Sequence, residues 1–369
     1  MKRGHLRVGV LFGGRSGEHE VSVSSARSVL SALDRSKYEV IPIGITPNGD
    51  WLLVDGPDRL AEEQGTRIGV VPGLSGRPLV GLDPDGVGGR VLPHGLDVVF
   101  PVLHGTYGED GTVQGLLELL GVAYVGPGVM ASAMGMDKVA MKMAFQQAGL
   151  PVVPFQVLLI TAWRENAAAL LKSLERQFAY PIFVKPSNLG SSVGVSKATH
   201  RESLRHAVEE AFRYDRKIVI EQGLDCREVE CGVLGNDHPE ASVVGEIIPK
   251  RDWYDYRAKY EPGLSEARIP APLSPSLSQQ IQSQAIKAYQ SIDCAGLARV
   301  DFFLERASEE PYVNEINTIP GFTATSVYPK LWAASGLSYP ALLERLIQLA
   351  LERHGERHQL LTTFQKPEG

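Results

Sequence analysis

The sequence predicts two kinds of fold in one chain: an α/β amino-terminal part with a mostly parallel sheet, followed by an α+β remainder. Up to about residue 150, apolar runs of strand length alternate with helix-length amphipathic stretches, the pattern of parallel strands joined by helices. Beyond that point several strand-like runs stand too close together for helical crossovers, which calls for antiparallel pairs. The length of 369 residues also exceeds one ordinary domain and fits two or three.

The elements follow in order. Leu6 to Phe12 (LRVGVLF) is a short apolar run closed by Gly13 and Gly14, and Val21 to Leu33 then places Val23, Ala26, Val29, Leu30 and Leu33 at helical spacing. Further strands are expected at Tyr38 to Ile45, Asp97 to Val102 and Ala123 to Val125, with a helix at Thr112 to Leu120. The stretch from Asp55 to Pro93 is rich in Gly, Pro and Asp and reads as turns, a variable excursion more than a core element. Asp137 caps a helix that runs to Ala148, where Gly149 and Pro151 stop it, and a domain boundary is expected there.

Beyond the boundary come a strand at Val152 to Leu159, a helix at Ala162 to Arg176 and a strand at Pro181 to Lys185. Thr199 opens the next helix, with Glu202 placed for a capping box. Strands recur at Lys217 to Gln222, Glu228 to Leu234 and Ser242 to Ile248. A helix at Pro275 to Ile292, strands at Leu297 to Glu305 and Pro311 to Asn317, and terminal helices to about His354 complete the chain. The expected division is 1–136, 137–226 and 227–369.

Composition narrows the function classes. The 37 Lys and Arg against 43 Asp and Glu give a net charge of −6, which argues against a broad basic field for nucleic acid and leaves room for local phosphate sites. Cys226, Cys231 and Cys294 form no CxxC pair, so neither a disulfide framework nor a four-cysteine zinc site is supported, and a reducing cytosol fits. Met1-Lys2-Arg3 starts like a signal peptide, but the following run carries Arg7 and Gly9 and reads as a strand. No run of about 18 apolar residues occurs, so no membrane span is expected.

Two nucleotide fingerprints fail. The pattern GxxxxGK[ST] is absent, and Gly126-Pro-Gly-Val-Met-Ala131 matches GxGxxG/A but has Pro at the first variable position and no acidic residue at the ribose-reading distance. It reads as a strand-to-helix turn. More informative is Phe183-Val-Lys-Pro-Ser-Asn-Leu-Gly-Ser-Ser-Val-Gly-Val-Ser-Lys197, a hairpin with a mobile tip. Gly190 and Gly194 permit close backbone approach, Ser191 and Ser192 can donate to phosphate oxygens, and Lys185 adds a compact cation, a combination suited to a triphosphate. Taken alone, the segment reads equally as an exposed Ser/Gly turn beside a solvated lysine.

Leu297 to Leu304 and Pro311 to Asn317 read as adjacent strands. Alternation puts Arg299 with Asp301 on one face, and Glu315 with Asn317 on one face. If those faces coincide, three oxygen ligands converge, as Mg²⁺ accepts when phosphates and water complete its shell; otherwise this is a charged surface hairpin.

The segments Gly13-Gly-Arg-Ser-Gly-Glu-His-Glu-Val-Ser22, His104-Gly-Thr-Tyr-Gly-Glu-Asp-Gly111, Met136-Asp-Lys138, Lys185 to Gly194, Ala258-Lys-Tyr260 and Asn314-Glu-Ile-Asn-Thr-Ile-Pro-Gly321 together resemble the D-alanine:D-alanine ligases, in the same order from about Arg7 to Leu349. The resemblance implies an ATP-grasp fold preceded by a Rossmann-like parallel α/β domain. It implies that ATP activates the carboxylate of one D-alanine as an acylphosphate, which the amine of a second D-alanine attacks, for peptidoglycan precursor synthesis. By motif position it implies ATP contacts at Lys138, Lys185, Ser191, Ser192, Glu221, Leu224 and Glu228, with Phe303 beside adenine.

The same resemblance implies magnesium ligands at Asp301, Glu315 and Asn317, holding two Mg²⁺ ions for which Mn²⁺ can substitute. Glu18 matches the anchor of the first substrate's ammonium, and Glu18, Ser191 and Tyr260 a hydrogen-bonded triad. Arg299 and the Gly321 N–H match the oxyanion stabilisers, Ser326 the receiver of the second carboxylate, and His104 a histidine near the substrates, a residue that in a Gly-rich turn also reads as a surface donor. Lys250 to Arg268 would be the lid, with Lys259 meeting phosphate and Tyr260 accompanying an amine acceptor. A cytoplasmic homodimer is implied, with no nucleic-acid or membrane partner.

Overall fold

The computed structural model describes residues 5–73, 77–82, 89–91, 95–249 and 265–361. The amino-terminal part runs β1 (Leu6–Gly13), α1 (His19–Ala32), β2 (Tyr38–Ile45), β3 (Trp51–Leu53), α2 (Pro57–Ala61), β4 (Thr66–Val70), β5 (Leu79–Leu82), β6 (Gly89–Val91), β7 (Val98–Pro101), α3 (Thr112–Leu120), β8 (Ala123–Tyr124) and α4 (Val129–Met136). The strands form one sheet in the order β6-β5-β4-β3-β2-β1-β7-β8. β1 pairs in parallel with β2 and β7, and β7 with β8.

The expectation for residues 55–93 is corrected here. β3 to β6 extend the parallel core as an antiparallel meander, so the sheet is not mostly parallel. Ile68 and Leu79, at 3% and 1% exposure, are core residues of that meander. Its strands are only 3 to 5 residues long and Gly and Pro stand between them, so composition hides them behind their turns. The β1 alternation serves two faces. Val8, Val10 and Phe12 pack with Leu342 and Leu346 from near the end of the chain, while Leu11 packs with Ile43, Val99 and Leu117.

The second sheet comes from α5 (Lys138–Gln147), β9 (Phe155–Leu159), α6 (Ile160–Gln177), β10 (Ile182–Pro186), β11 (Ser196–Ala198), α7 (Arg201–Ala211) and β12 (Lys217–Gln222). Its order is β11-β10-β12-β9, antiparallel throughout. Asp137 caps α5 as the sequence predicts, accepting from the Val139 and Ala140 N–H groups at 3.0 and 3.1 Å. The α7 cap differs from expectation. His200, not Thr199, is the cap, and the Ser203 hydroxyl takes the place of Glu202 by accepting from the backbone N–H groups of Thr199 and His200.

The third sheet comes from β13 (Cys226–Gly235), β14 (Glu240–Pro249), β15 (Ser265–Arg268), β16 (Gly296–Glu305) and β17 (Pro311–Asn317), in the order β15-β14-β13-β16-β17, again antiparallel. α8 (Pro275–Ser291) buries Ile281, Ala285 and Ala288 against it. α9 (Val327–Ala334) and α10 (Tyr339–His358) follow; α10 packs Leu342 and Leu346 on the first sheet and runs past the expected end near His354. Cys226, Cys231 and Cys294 are free thiols. Among the described residues, no helix is long and apolar enough to cross a membrane.

Candidate active site

A cavity of about 570 Å³ lies between the second and third sheets. β10 brings Lys185 to it, β12 brings Glu221, the β12–β13 connection brings Leu224, β13 brings Glu228, and β16 brings Asp301 and Phe303. Lys185 Nζ lies 2.6 Å from Glu221 Oε2 and 5.4 Å from the centre of the Phe303 ring. A second lysine not singled out in the sequence, Lys142 on α5, places Nζ 2.9 Å from Glu221 Oε1. Burial alone would raise the Glu221 carboxyl, but the two ammonium groups outweigh it and hold it at about 2.

The faces of β16 and β17 do coincide. Arg299 pairs in register with Asn317, and Asp301 with Glu315. Arg299 grips Asp301 with two hydrogen bonds of 2.7 Å and lies 3.0 Å from Glu230, a β13 carboxylate that the sequence reading passed over. Asn317 Oδ1 is buried and, among the described residues, accepts no hydrogen bond. A buried acceptor without a donor is costly unless something absent from the chain satisfies it, and a hard cation does. Among the described residues no three His, Cys, Asp or Glu side chains cluster as a ready metal cage, so a cation held here would take the Asn317 amide oxygen beside the two carboxylates and complete its shell elsewhere.

A second cavity, of about 620 Å³, opens farther along the same face of this strand pair. It receives Glu18 from the turn before α1, His104 from the loop after β7, Arg299, Asn317, Gly321, and Ser326 at the start of α9. Gly105 adopts φ +74°, a left-handed backbone that favours glycine, and a Cβ there would stand 2.6 Å from Glu18 Oε2 and push the carboxylate aside. Ser326 Oγ accepts from the Thr323 N–H at 3.1 Å, which ties the Gly321 loop to α9.

His104 is not the surface donor that a Gly-rich turn also permits. It is 4% exposed, with Nδ1 3.0 Å from the Ile319 carbonyl and Nε2 3.0 Å from Ser25 Oγ. A carbonyl only accepts, so Nδ1 carries the hydrogen and Nε2 accepts from the Ser25 hydroxyl. Burial lowers the His104 pKa, against the opposing pull of Glu18, consistent with a neutral ring. Ser25 Oγ in turn accepts from the Phe322 N–H at 3.3 Å. Glu109, from the same loop, is 9% exposed and accepts from the Gly105 N–H at 2.7 Å. Burial, with Glu18 adding to it, pushes its carboxyl well above the ordinary range.

The loop between β10 and β11 separates the cavities. Ser191 and Ser192 adopt φ +53° and +58°, a left-handed backbone that costs a non-glycine residue energy and persists where its surroundings hold it. The hold is visible: Ser191 Oγ donates to Glu18 Oε1 across 173 positions of sequence. Lys138 Nζ donates to the Leu189 carbonyl at 2.6 Å, and the Lys138 N–H to the Ser187 carbonyl at 2.9 Å. The sequence expected Gly190 and Gly194 to provide the freedom here; Gly194 does, at φ +71°, but the serines share the unusual turn.

Lys138, Ser191 and Glu315 line both cavities, and each remaining expected site residue among those described lines one of them. Lys259, Tyr260 and nearly all of the expected lid lie outside the described residues.

The model of the "D-ala D-ala ligase N-terminus" matches residues 7–127, and that of the "D-ala D-ala ligase C-terminus" matches residues 144–348. The chain belongs to the D-alanine:D-alanine ligase family. It is 49% identical over 364 residues to a D-alanine–D-alanine ligase of Natranaerobius thermophilus, covering 97% of this chain and 98% of that one. It is 48% identical to the same enzyme of Geobacillus thermodenitrificans, covering 98% and 99%. Among solved structures, the D-alanine–D-alanine ligase of Coxiella burnetii superposes with a TM-score of 0.85 at 39% identity, covering 96% of each chain. The VanG D-Ala:D-Ser ligase of Enterococcus faecalis superposes with a TM-score of 0.83 at 35% identity, covering 94% of this chain and 100% of that one. The fold is accordingly the ATP-grasp fold preceded by an α/β part with a parallel core.

Proposed function

We propose that the protein joins two D-alanine molecules into D-alanyl-D-alanine at the expense of ATP, releasing ADP and phosphate, as a step in peptidoglycan precursor synthesis. The observation that carries this reading is the wall common to the two cavities, formed by Lys138, Gly190, Ser191, Ile247 and Glu315. A phosphoryl group passing from a nucleotide in one cavity to a carboxylate in the other needs such a junction. On this reading the chain divides at 1–136, 137–226 and 227–369 and works as a cytoplasmic homodimer.

Lys185 and Lys138 bind the polyphosphate, Ser191 and Ser192 donate to it, and Glu221, Leu224, Glu228 and Phe303 surround the nucleoside. Asp301, Glu315 and Asn317, an all-oxygen set with one orphaned acceptor, would hold two Mg²⁺ ions, or Mn²⁺ in their place. Such ions supply charge neutralisation to the transferring phosphoryl group.

Glu18 receives the first D-alanine's ammonium and orients its carboxylate toward the γ-phosphorus. A carboxylate oxygen forms the new bond to phosphorus as the bond to ADP breaks. Ser326 receives the carboxylate of the second D-alanine, whose amine, having given up a proton, attacks the acyl carbon. Arg299 and the Gly321 N–H stabilise the oxyanion of the tetrahedral intermediate, from which phosphate leaves. Lys259 and Tyr260 complete the enclosure from the lid, Tyr260 joining Glu18 and Ser191, and His104 holds the loop on which Gly321 stands.

The test is phosphate release from Mg²⁺-ATP with D-alanine, D-serine, L-alanine or no amino acid, with products weighed by mass spectrometry and Asp301→Ala alongside. Turnover with D-alanine alone, lost in the variant, is the expected result. Turnover that requires D-serine would keep the ligase chemistry and move the second substrate toward that of the VanG relative.

A further inference from the structure

We propose that Lys142 is a positioning residue for nucleotide binding: from behind the cavity wall it balances Glu221, leaving the charge of Lys185 available to the polyphosphate. The inference rests on the reading of the 570 Å³ cavity as the nucleotide site. Lys142 is 1% exposed and lines neither cavity, whereas Lys185 and Glu221 line the first. Glu221 gives one oxygen to each lysine, Oε1 to Lys142 at 2.9 Å and Oε2 to Lys185 at 2.6 Å. Asn314 repeats the bridge, its backbone carbonyl accepting from Lys142 at 3.4 Å and its Oδ1 from Lys185 at 3.3 Å.

The charge count gives the arrangement its meaning. Lys185 with Glu221 alone is a neutral pair, and a neutral pair offers a phosphate little net attraction. Adding Lys142 makes the trio a net cation whose cavity-lining lysine is the largely buried Lys185, and it helps offset the pull of Glu315 and Glu228 from outside the trio. A structural ion pair needs only one lysine. Burial draws the Lys142 ammonium below its ordinary value and Glu221 pulls it back up, so this charge is held against a desolvation cost.

That cost separates the proposal from a merely structural role. Lys142→Met leaves Glu221 paired with Lys185, so thermal stability of the unliganded enzyme should hold or rise. Affinity for Mg²⁺-ATP, titrated without amino acid, should fall about tenfold or more, while KM for D-alanine stays within about twofold. Lys142→Met combined with Glu221→Gln returns the site to a net charge of +1 and should recover most of the single variant's loss. Lys142→Arg, which keeps the charge, should bind within about threefold of the unaltered enzyme even if the methionine variant folds poorly.

Undiminished affinity in Lys142→Met would overturn the proposal. So would a double variant as weak as the single one, or an arginine variant that loses affinity as the methionine variant does. If the unaltered enzyme itself fails to bind Mg²⁺-ATP, the nucleotide reading falls first and this inference with it.

Discussion

Glu221 in the first cavity and Glu109 in the second are both buried carboxyls, at 2% and 9% exposure, and their proton affinities shift in opposite directions. Two lysines surround Glu221 and hold it at about 2 despite burial. Glu109 has backbone N–H groups, the more distant Arg299 and, against them, the neighbouring Glu18, so burial wins and its carboxyl rises. Depth alone therefore decides neither group; the sign of the neighbours does. Around Glu221 two lysines outnumber one carboxylate, as a polyphosphate requires of its immediate contacts. The second cavity presents carboxyls, as a substrate arriving with an ammonium requires.

The face of the β16–β17 pair that serves both cavities offers the most forceful way to break this contrast. Glu315 lines both, so Glu315→Gln removes one negative charge from the junction without changing the side chain's shape. We expect kcat for phosphate release to fall about 10³-fold at saturating ATP and D-alanine, the scale of removing a group aimed at transition-state charge. A loss below about tenfold would mean that the cavities do not share their charge handling at this residue.

A middle-sized effect is expected from Ser25→Ala, which touches only the amino-acid side. The hydroxyl serves His104 Nε2 and the Phe322 N–H together, and its removal leaves both buried groups without this partner. An unsatisfied buried group costs about 1–3 kcal/mol, so kcat/KM for D-alanine should fall about tenfold or more while KM for ATP stays unchanged. Equal losses for both substrates would show that Ser25 supports the whole molecule and not this loop.

Ser25 also marks the limit of what the sequence discloses. The parallel core around β1, the antiparallel strands and the convergence of Asp301, Glu315 and Asn317 follow from periods of two and 3.6 residues, which local sequence carries. The bond between Ser191 and Glu18 needed the family resemblance, because 173 positions separate the partners. Ser25, Glu109, Glu230 and Lys142 were missed for a different reason. Ser25, Glu230 and Lys142 owe their places to partners far away in sequence, Glu109 to the folding of its own loop, and a serine or lysine on an amphipathic helix has no local mark that distinguishes a buried partner from a solvated face. The strands between residues 55 and 93 were hidden by brevity, since runs of 3 to 5 residues leave little period to read.

The smallest expected effect sharpens the comparison from the stability side. A carboxyl held at about 2 against an ordinary 4.5 stabilises the fold above 4.5, and that contribution drains away as pH falls from about 4.5 to about 2. Glu221→Gln should therefore be less stable than the unaltered protein at neutral pH, with the gap in urea midpoint narrowing toward about pH 3. Glu109 has the opposite sign. Its raised pKa means that the unfolded chain ionises first as pH rises, so its contribution is present below the ordinary carboxylate range and is lost as pH climbs toward its folded value. Glu109→Gln, which can still accept from the Gly105 N–H, should gain on the unaltered protein as pH rises above the ordinary carboxylate range. Two glutamine variants whose midpoint differences move the same way with pH would break the contrast, because they would show that burial, and not the company each carboxyl keeps, sets the proton affinity of both cavities.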